Sequence, residues 1–393
     1  MDREQGEVRL WRQSNRLLQG PMVWETARAR FPGLTVANLF GWFNMFSSAD
    51  FTVTPRPQYA ADGRKRADIL TTPEGLRDRL VHELGSFPLF HFWGPAADIR
   101  SSEWIAQAAA RVMRWHDPAL TIAYLPHMDY VLQREGPDGP GVATELRELD
   151  RVLSFLLRAA DEHGARVVLC SEYGIEAATQ AIHPNRVLRE AGLLAVRREF
   201  GGEQLDLNSS PAFAMCDHQV AHVYTRDPSA TARARQVLAR LPGVEEVVDG
   251  RDLARLELDH PRSGDLVLVP SPGAWFAYPW WRLDEDAPDF ARTVDIHRKP
   301  GYDPCELLRE VSGAAATLRT GWFLARKALG FRALLKLTPL DASRVRGTHG
   351  RSTPAAGLEP VLIAEGAFIP DTTPLPLRSV HDVVLRNLSG EPA

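Results

Sequence analysis

The sequence predicts an α/β fold: a doubly wound, mostly parallel sheet with helices on both faces and a small inserted α+β subdomain. Three observations predict it. First, ALTIAYLP (119–126) and ARVVLCSEYG (165–174) are short, nearly continuous apolar runs, as strands buried on both faces require. Second, the segment between them, TELRELDRVLSFLLRAADEHG (144–164), repeats Leu146, Leu149, Leu153, Leu156 and Ala160 at helical spacing and ends on Gly164. Strand, helix, strand in that order is a βαβ unit. Third, the pattern changes near residue 219 to short strands around one helix. The expected organisation is a main domain over 1–218, an α+β insert over 219–271, and a return to the main domain over 272–393.

The elements follow in chain order. PMVWETARAR (21–30) reads as a short helix and LTVANLFGWF (34–43) as a buried strand after a Pro-Gly turn. Residues 44–72, rich in Ser, Thr, Pro and charge, read as a long loop. TPEGLRDRLVHEL (72–84) reads as a helix with a Thr cap and Pro at its first position. SEWIAQAAARVMRWH (102–116) is a second helix with a Ser cap. Beyond the βαβ unit, NRVLREAGLL (185–194) is helical. The insert holds strands at 220–225, 243–249 and 264–271 and a helix at 228–241. PGAWFAYPWWRLDEDAPDF (272–290) is aromatic and irregular. WFLARKALGFRALLKL (322–337) is a basic amphipathic helix, expected to pack on the sheet rather than lie on a membrane. RGTHGR (346–351) is a Gly-rich turn and EPVLIAEG (359–366) a late strand.

Bulk composition narrows the function. The 393 residues carry 46 basic and 50 acidic side chains, a net charge of −4, so no single-sign field argues for nucleic acid. Cys170, Cys216 and Cys305 are widely spaced, which excludes a disulfide framework and a thiolate zinc site. They fit a reducing, cytoplasmic setting. No apolar run is long enough to span a bilayer, and MDREQGEVRLWRQSN lacks the pattern of a signal peptide.

Ligands of open α/β sheets gather at strand carboxyl ends, and several segments put ligand-type residues there. They are YLPHMDY with His127 and Asp129, LCSEYG with Glu172 and Tyr173, and GTHG with His349. AFAMCDHQVAH adds Asp217, His218 and His222. VDIHRKPGYDP adds Asp295, His297 and Asp303. Any one of these is more commonly a cap or turn former. Together, carboxylates and imidazoles at strand ends point to a divalent metal. Such an ion generates a nucleophile and holds phosphoryl oxygens. G-x-S-x-G, Walker, G-x-G-x-x-G and H-E-x-x-H motifs are all lacking. Ser171 lies at a strand end without the flanking glycines of a nucleophile elbow.

The order of these motifs resembles the alkaline phosphatase superfamily, in particular its type I phosphodiesterase/nucleotide pyrophosphatase branch, over roughly 20–375. GPMVWETARARFPGLTVANLFGWFN is similar to the segment after that family's nucleophile region. YLPHMDYVLQREGP resembles its Y-x-E-x-P-D-x-x-G-H-x-x-G-P loop, LCSEYGI its S-D-H-G-M turn, NRVLREAGLL the helix that follows, and GTHGR its late G-T-H-G. The resemblance implies metal-ligand positions at Asp129, Gln133, Glu172, Tyr173 and His349. It also implies zinc, a phosphoryl-enzyme mechanism and a small phosphate-ester substrate.

The departures are specific. Gln133 and Tyr173 stand where the family has His, and Glu172 where it has Asp. Glu keeps a carboxylate, Gln offers a neutral amide oxygen, and Tyr, whose phenol ordinarily ionises near about pH 10, is a weak ligand. His127 shares a strand face with Asp129 if the strand continues and is a candidate replacement. Asp217, His218 and His297 are further candidates. An oxygen-rich set suits manganese or magnesium as well as zinc. The family's first-strand Asp and its Thr or Ser nucleophile have no counterpart in residues 1–20, so the chain is expected to begin after that unit, by truncation or loss. The leading expectation is a metal-dependent hydrolase of a phosphodiester, pyrophosphate or phosphate ester, weakly active as given. The alternative is a non-catalytic or pathway-specific metabolite-binding protein on the same fold. A phosphomutase-like enzyme ranks third.

Overall fold

Val36–Leu39 pairs in parallel with Phe51–Pro55 on one side and with Leu120–Ala123 on the other. Ile69–Thr72 adds an antiparallel edge beside Phe51–Pro55, completing a four-stranded, mostly parallel sheet. Leu39 and Val53 are fully buried among Phe40, Ile69, Leu80 and Ile105. The computed structural model describes residues 1–61, 64–311, 313–331, 333–352, 357–365, 368–370 and 374–389.

Two of these strands lie inside the expected long loop at 44–72. The segment FTVTP buries Thr52, Val53 and Thr54. Threonine reads as polar in a pattern count, yet its β-branched side chain suits a pleated surface. Asn44 fixes the turn before this strand, donating to the carbonyls of Asn38 at 2.8 Å and Val53 at 3.2 Å.

The helices hold with shifted starts. The expected 72–84 helix begins at Gly75, and Thr72 instead ends a strand. Pro73 lies outside the helix, and the Thr71 hydroxyl accepts from the Arg77 N–H at 3.1 Å. The 102–116 helix begins at Ile99, because Asp98 caps it by accepting from the Arg100 N–H. The long amphipathic helix runs Val142–Glu162. The strand that follows it, Val167–Cys170, pairs antiparallel with Leu362–Glu365. Residue 366 of the expected late strand lies outside the described residues.

A second sheet runs Ala212–Asp217, Val220–Thr225, Leu266–Pro270, Val244–Asp249 in spatial order and is antiparallel throughout. Helix Pro228–Leu238 packs on it, capped by Asp227. Ala212–Asp217 extends this sheet beyond the insert expected at 219–271. Ala274–Phe276 pairs with Gln180–Ile182, and the aromatic run places Trp275, Phe276, Trp280 and Trp281 in the interior.

The chain divides into two units. The first comprises Met1–Trp11, Leu132–Pro140 and Ile175–Glu359. The second comprises Arg12–Val131, Gly141–Gly174 and Pro360–Ala393. Each has its own apolar core.

The basic amphipathic segment differs most from expectation. Its helix is Gly313–Ala328, and Gly330, with φ 83°, follows its end. Residue 332 of the expected 322–337 helix lies outside the described residues. The helix does not pack its apolar side onto a sheet, since Ala316 is its sole buried residue. No helix among the described residues is long and apolar enough to cross a membrane.

Candidate functional site

The expected metal loop is largely helical. His127–Glu135 is an α-helix entered directly from Pro126, with the Asp129 N–H donating to the Pro126 carbonyl at 3.1 Å. Asp129 sits in the first turn, where a carboxylate suits the positive end of the helix dipole. Helical geometry places Asp129 and Gln133, four apart, on one face. It removes the face-sharing expected of His127 and Asp129, because two residues along a helix turn about 200°.

His127 is buried, with Nε2 2.7 Å from Glu145 Oε2. Burial lowers the imidazole's pKa, and Glu145 only partly opposes this.

Tyr173 follows the strand Val167–Cys170 and lies in the second unit with Asp129. Its hydroxyl donates to Asp129 Oδ1 at 3.2 Å. Burial, reinforced by the Asp129 charge, raises the phenol well above its ordinary value. Tyr173 is therefore a neutral donor, the protonation state least suited to ligating a cation. Glu172 reaches solvent, yet partial loss of hydration raises its carboxyl pKa.

The remaining candidates belong to the first unit. Gly347–Thr348 pairs antiparallel with Glu176–Ala177, which sets the GTHG turn. A Cβ on Gly347 would stand 2.0 Å from the Leu132 carbonyl oxygen, so this close approach requires glycine. The turn is fixed further by the Arg346 N–H donating to the Gln133 carbonyl and the Gln219 N–H donating to the His349 carbonyl. His349 is half-buried, and burial lowers its pKa to about 3.

His218 faces this turn. It opens the connection between Ala212–Asp217 and Val220–Thr225 with φ 48°, an uncommon left-handed backbone for a bulky residue. Its carbonyl accepts from the Phe276 N–H at 2.7 Å. Its Nδ1 is 3.1 Å from the Thr348 hydroxyl, and its ring lies 4.1 Å from that of His349. The side chain is 1% exposed, and Nε2 has no hydrogen-bond partner among the described residues. Burial and the neighbouring His349 hold its pKa well below the ordinary value. Two neutral imidazoles thus face each other. Asp217 and His297 are solvent-exposed.

Sequence reasoning did not single out Tyr302. Its ring lies 4.6 Å from His218, and its hydroxyl lies within 3.2 Å of the buried Gln133 amide. Next to Tyr302 in the chain is a buried ion cluster, in which Lys299 Nζ is 2.7 Å from both Asp303 and Glu306. Burial alone would lower the Lys299 pKa, but the two carboxylates overcome it and raise it. The available signal was a lysine followed by acidic residues four and seven positions later in HRKPGYDPCE.

The donor chemistry does not fit the two-zinc centre that the resemblance implies. Gln133 is engaged with Tyr302, and Tyr173 donates to Asp129. Among the described residues, no group of three or more His, Cys, Asp and Glu is gathered to hold a metal ion.

Solved structures similar to this chain include phosphonoacetate hydrolase from Sinorhizobium meliloti 1021 in complex with phosphonoacetate. The TM-score is 0.45 at 18% identity, covering 68% of this chain and 63% of that one. Human ectonucleotide pyrophosphatase/phosphodiesterase 5 gives 0.40 at 12% identity, covering 66% and 55%. The chain thus spans less than two thirds of the length of either. Among curated proteins none matches the sequence. Residues 1–303 match the family described as type I phosphodiesterase/nucleotide pyrophosphatase, which is more than half of the chain, and the chain belongs to that family.

Proposed function

We propose that this protein is a hydrolase of a small phosphodiester, pyrophosphate or phosphate ester in which the inherited metal site has been altered as a set. The observation that carries the reading is membership of the phosphodiesterase family over residues 1–303. Asp129, Glu172 and His349 keep ligand-type side chains at the family's positions. An oxygen-rich remainder of this kind suits magnesium or manganese as well as zinc. No nucleophile is assigned.

The second reading is a protein that binds a phosphorylated metabolite without turning it over. It is favoured by the two hydrogen bonds Tyr173–Asp129 and Gln133–Tyr302, which satisfy former ligand positions with protein partners.

Metal content after purification and hydrolysis of a nitrophenyl phosphodiester separate the two. The hydrolase reading expects near-stoichiometric divalent metal, lost in Asp129→Ala and His349→Ala, with slow turnover. Metal-free protein that binds nucleotide phosphates without hydrolysis would favour the binding reading. Turnover near the enzyme median of about 10 s⁻¹ would overturn the altered-site proposal.

A further inference from the structure

Helix Gly313–Ala328 carries an apolar stripe that faces water. Leu318 is 73% exposed, Trp322 69% and Leu329, just past the helix end, 75%. These residues fall at intervals of four and seven, which puts them on one face. Arg319 and Arg326 border that face. From residue 311 to 340 the chain carries Arg319, Arg326, Lys327, Arg332 and Lys336 and no acidic residue, although the whole chain has a net charge of −4. Within the helix itself the charged side chains are Arg319, Arg326 and Lys327, all basic, beside the exposed apolar stripe.

We propose that this helix docks in the plane of an anionic lipid surface, with Leu318, Trp322 and Leu329 among the acyl chains and the arginines at the headgroups. A 16-residue helix rises about 24 Å, too short for the hydrocarbon core, and its charges forbid spanning. The charge selects the occupant. An anionic bilayer neutralises the cations as its interior covers the stripe. A second copy of the same face would bring like charges together with no acidic partner in the segment. The proposal stands independently of the hydrolase reading.

The test is co-sedimentation of the full chain with vesicles. Binding is expected to vesicles of equal parts phosphatidylcholine and phosphatidylserine, but not to phosphatidylcholine alone, with release by salt. Leu318→Glu and Leu329→Glu should abolish it. Arg326→Gln should weaken it about fivefold, as expected for one basic residue near such a surface. All three positions are exposed, so an unchanged melting temperature accompanies each result. Failure to bind the mixed vesicles, or undiminished binding by Leu318→Glu, would overturn the proposal. So would a dimer in sedimentation velocity that Leu318→Glu dissociates, which would assign the face to a second copy.

Discussion

The cluster around Asp129 and the cluster around His218 differ in what their side chains have left to offer. Both contain an aromatic or imidazole group at or beside a position expected to hold a ligand. In the first, Tyr173 keeps its proton and shares it with Asp129 in a hydrogen bond of 3.2 Å. In the second, His218 and His349 have lost theirs, and His218 Nε2 is unpartnered among the described residues. The cause is the same in both, because burial disfavours the charged form. The consequences are opposite. The charged form of tyrosine is its ligating form, whereas the neutral form of histidine is its ligating form. Desolvation thus silences one cluster and primes the other.

The largest expected effect tests the buried ion cluster that neighbours Tyr302 in the chain. Lys299→Met leaves Asp303 and Glu306 buried without their cation. Removing one partner of a buried ion cluster costs about 3–5 kcal/mol. Chemical denaturation should show a loss of that order. A loss under about 1 kcal/mol, typical of an exposed ion pair, would mean that the cluster does not anchor the Tyr302 loop beside His218.

A second experiment tests the silenced side. Tyr173→His replaces a neutral phenol with an imidazole that burial would hold neutral. Zinc affinity measured by isothermal titration should rise by about tenfold or more, the scale on which even supporting residues change metal sites. Tyr173→Phe removes the hydroxyl without adding a ligand and should leave metal affinity unchanged. Equal affinities for the two variants would show that residue 173 lies outside any metal site and would break the comparison.

Much of the fold was legible because long amphipathic periodicity survives tertiary context. The helix Val142–Glu162 and the strands Val36–Leu39 and Leu120–Ala123 are examples. FTVTP was missed because buried threonines look like loop residues. Ala212–Asp217 was missed because Ala and Met carry little strand preference. The metal loop was misread as extended because Pro126 punctuates it, although Asp129 and Gln133 at a spacing of four were compatible with a helix. The Tyr302–Gln133 contact joins residues 169 apart in sequence, and no local pattern encodes which ring meets which amide. The expected ligand positions came from resemblance, and the hydrogen bonds of those residues were not readable from it.

The smallest expected effect probes the premise that burial keeps imidazoles neutral at His222, a ligand-type residue whose Nδ1 is taken up by the backbone. His222 Nδ1 accepts from the Gly264 N–H at 3.1 Å, which requires the neutral ring at that nitrogen. Burial, with a smaller contribution from the amino terminus, lowers its pKa to about 4, against 6.5 for an ordinary histidine. Between those values the unfolded chain takes up a proton that the folded chain refuses, so stability falls as pH falls through that window. It is fully present above 6.5, where both states are neutral. His222→Gln offers an amide oxygen to the same N–H and does not titrate. Its stability should therefore decline less steeply from neutral pH toward pH 4 than that of the parent chain. Melting temperatures across that range measure the slope. Parallel curves for the two proteins would show that His222 titrates alike in the folded and unfolded chain, and the contrast between a primed and a silenced cluster would lose its physical basis.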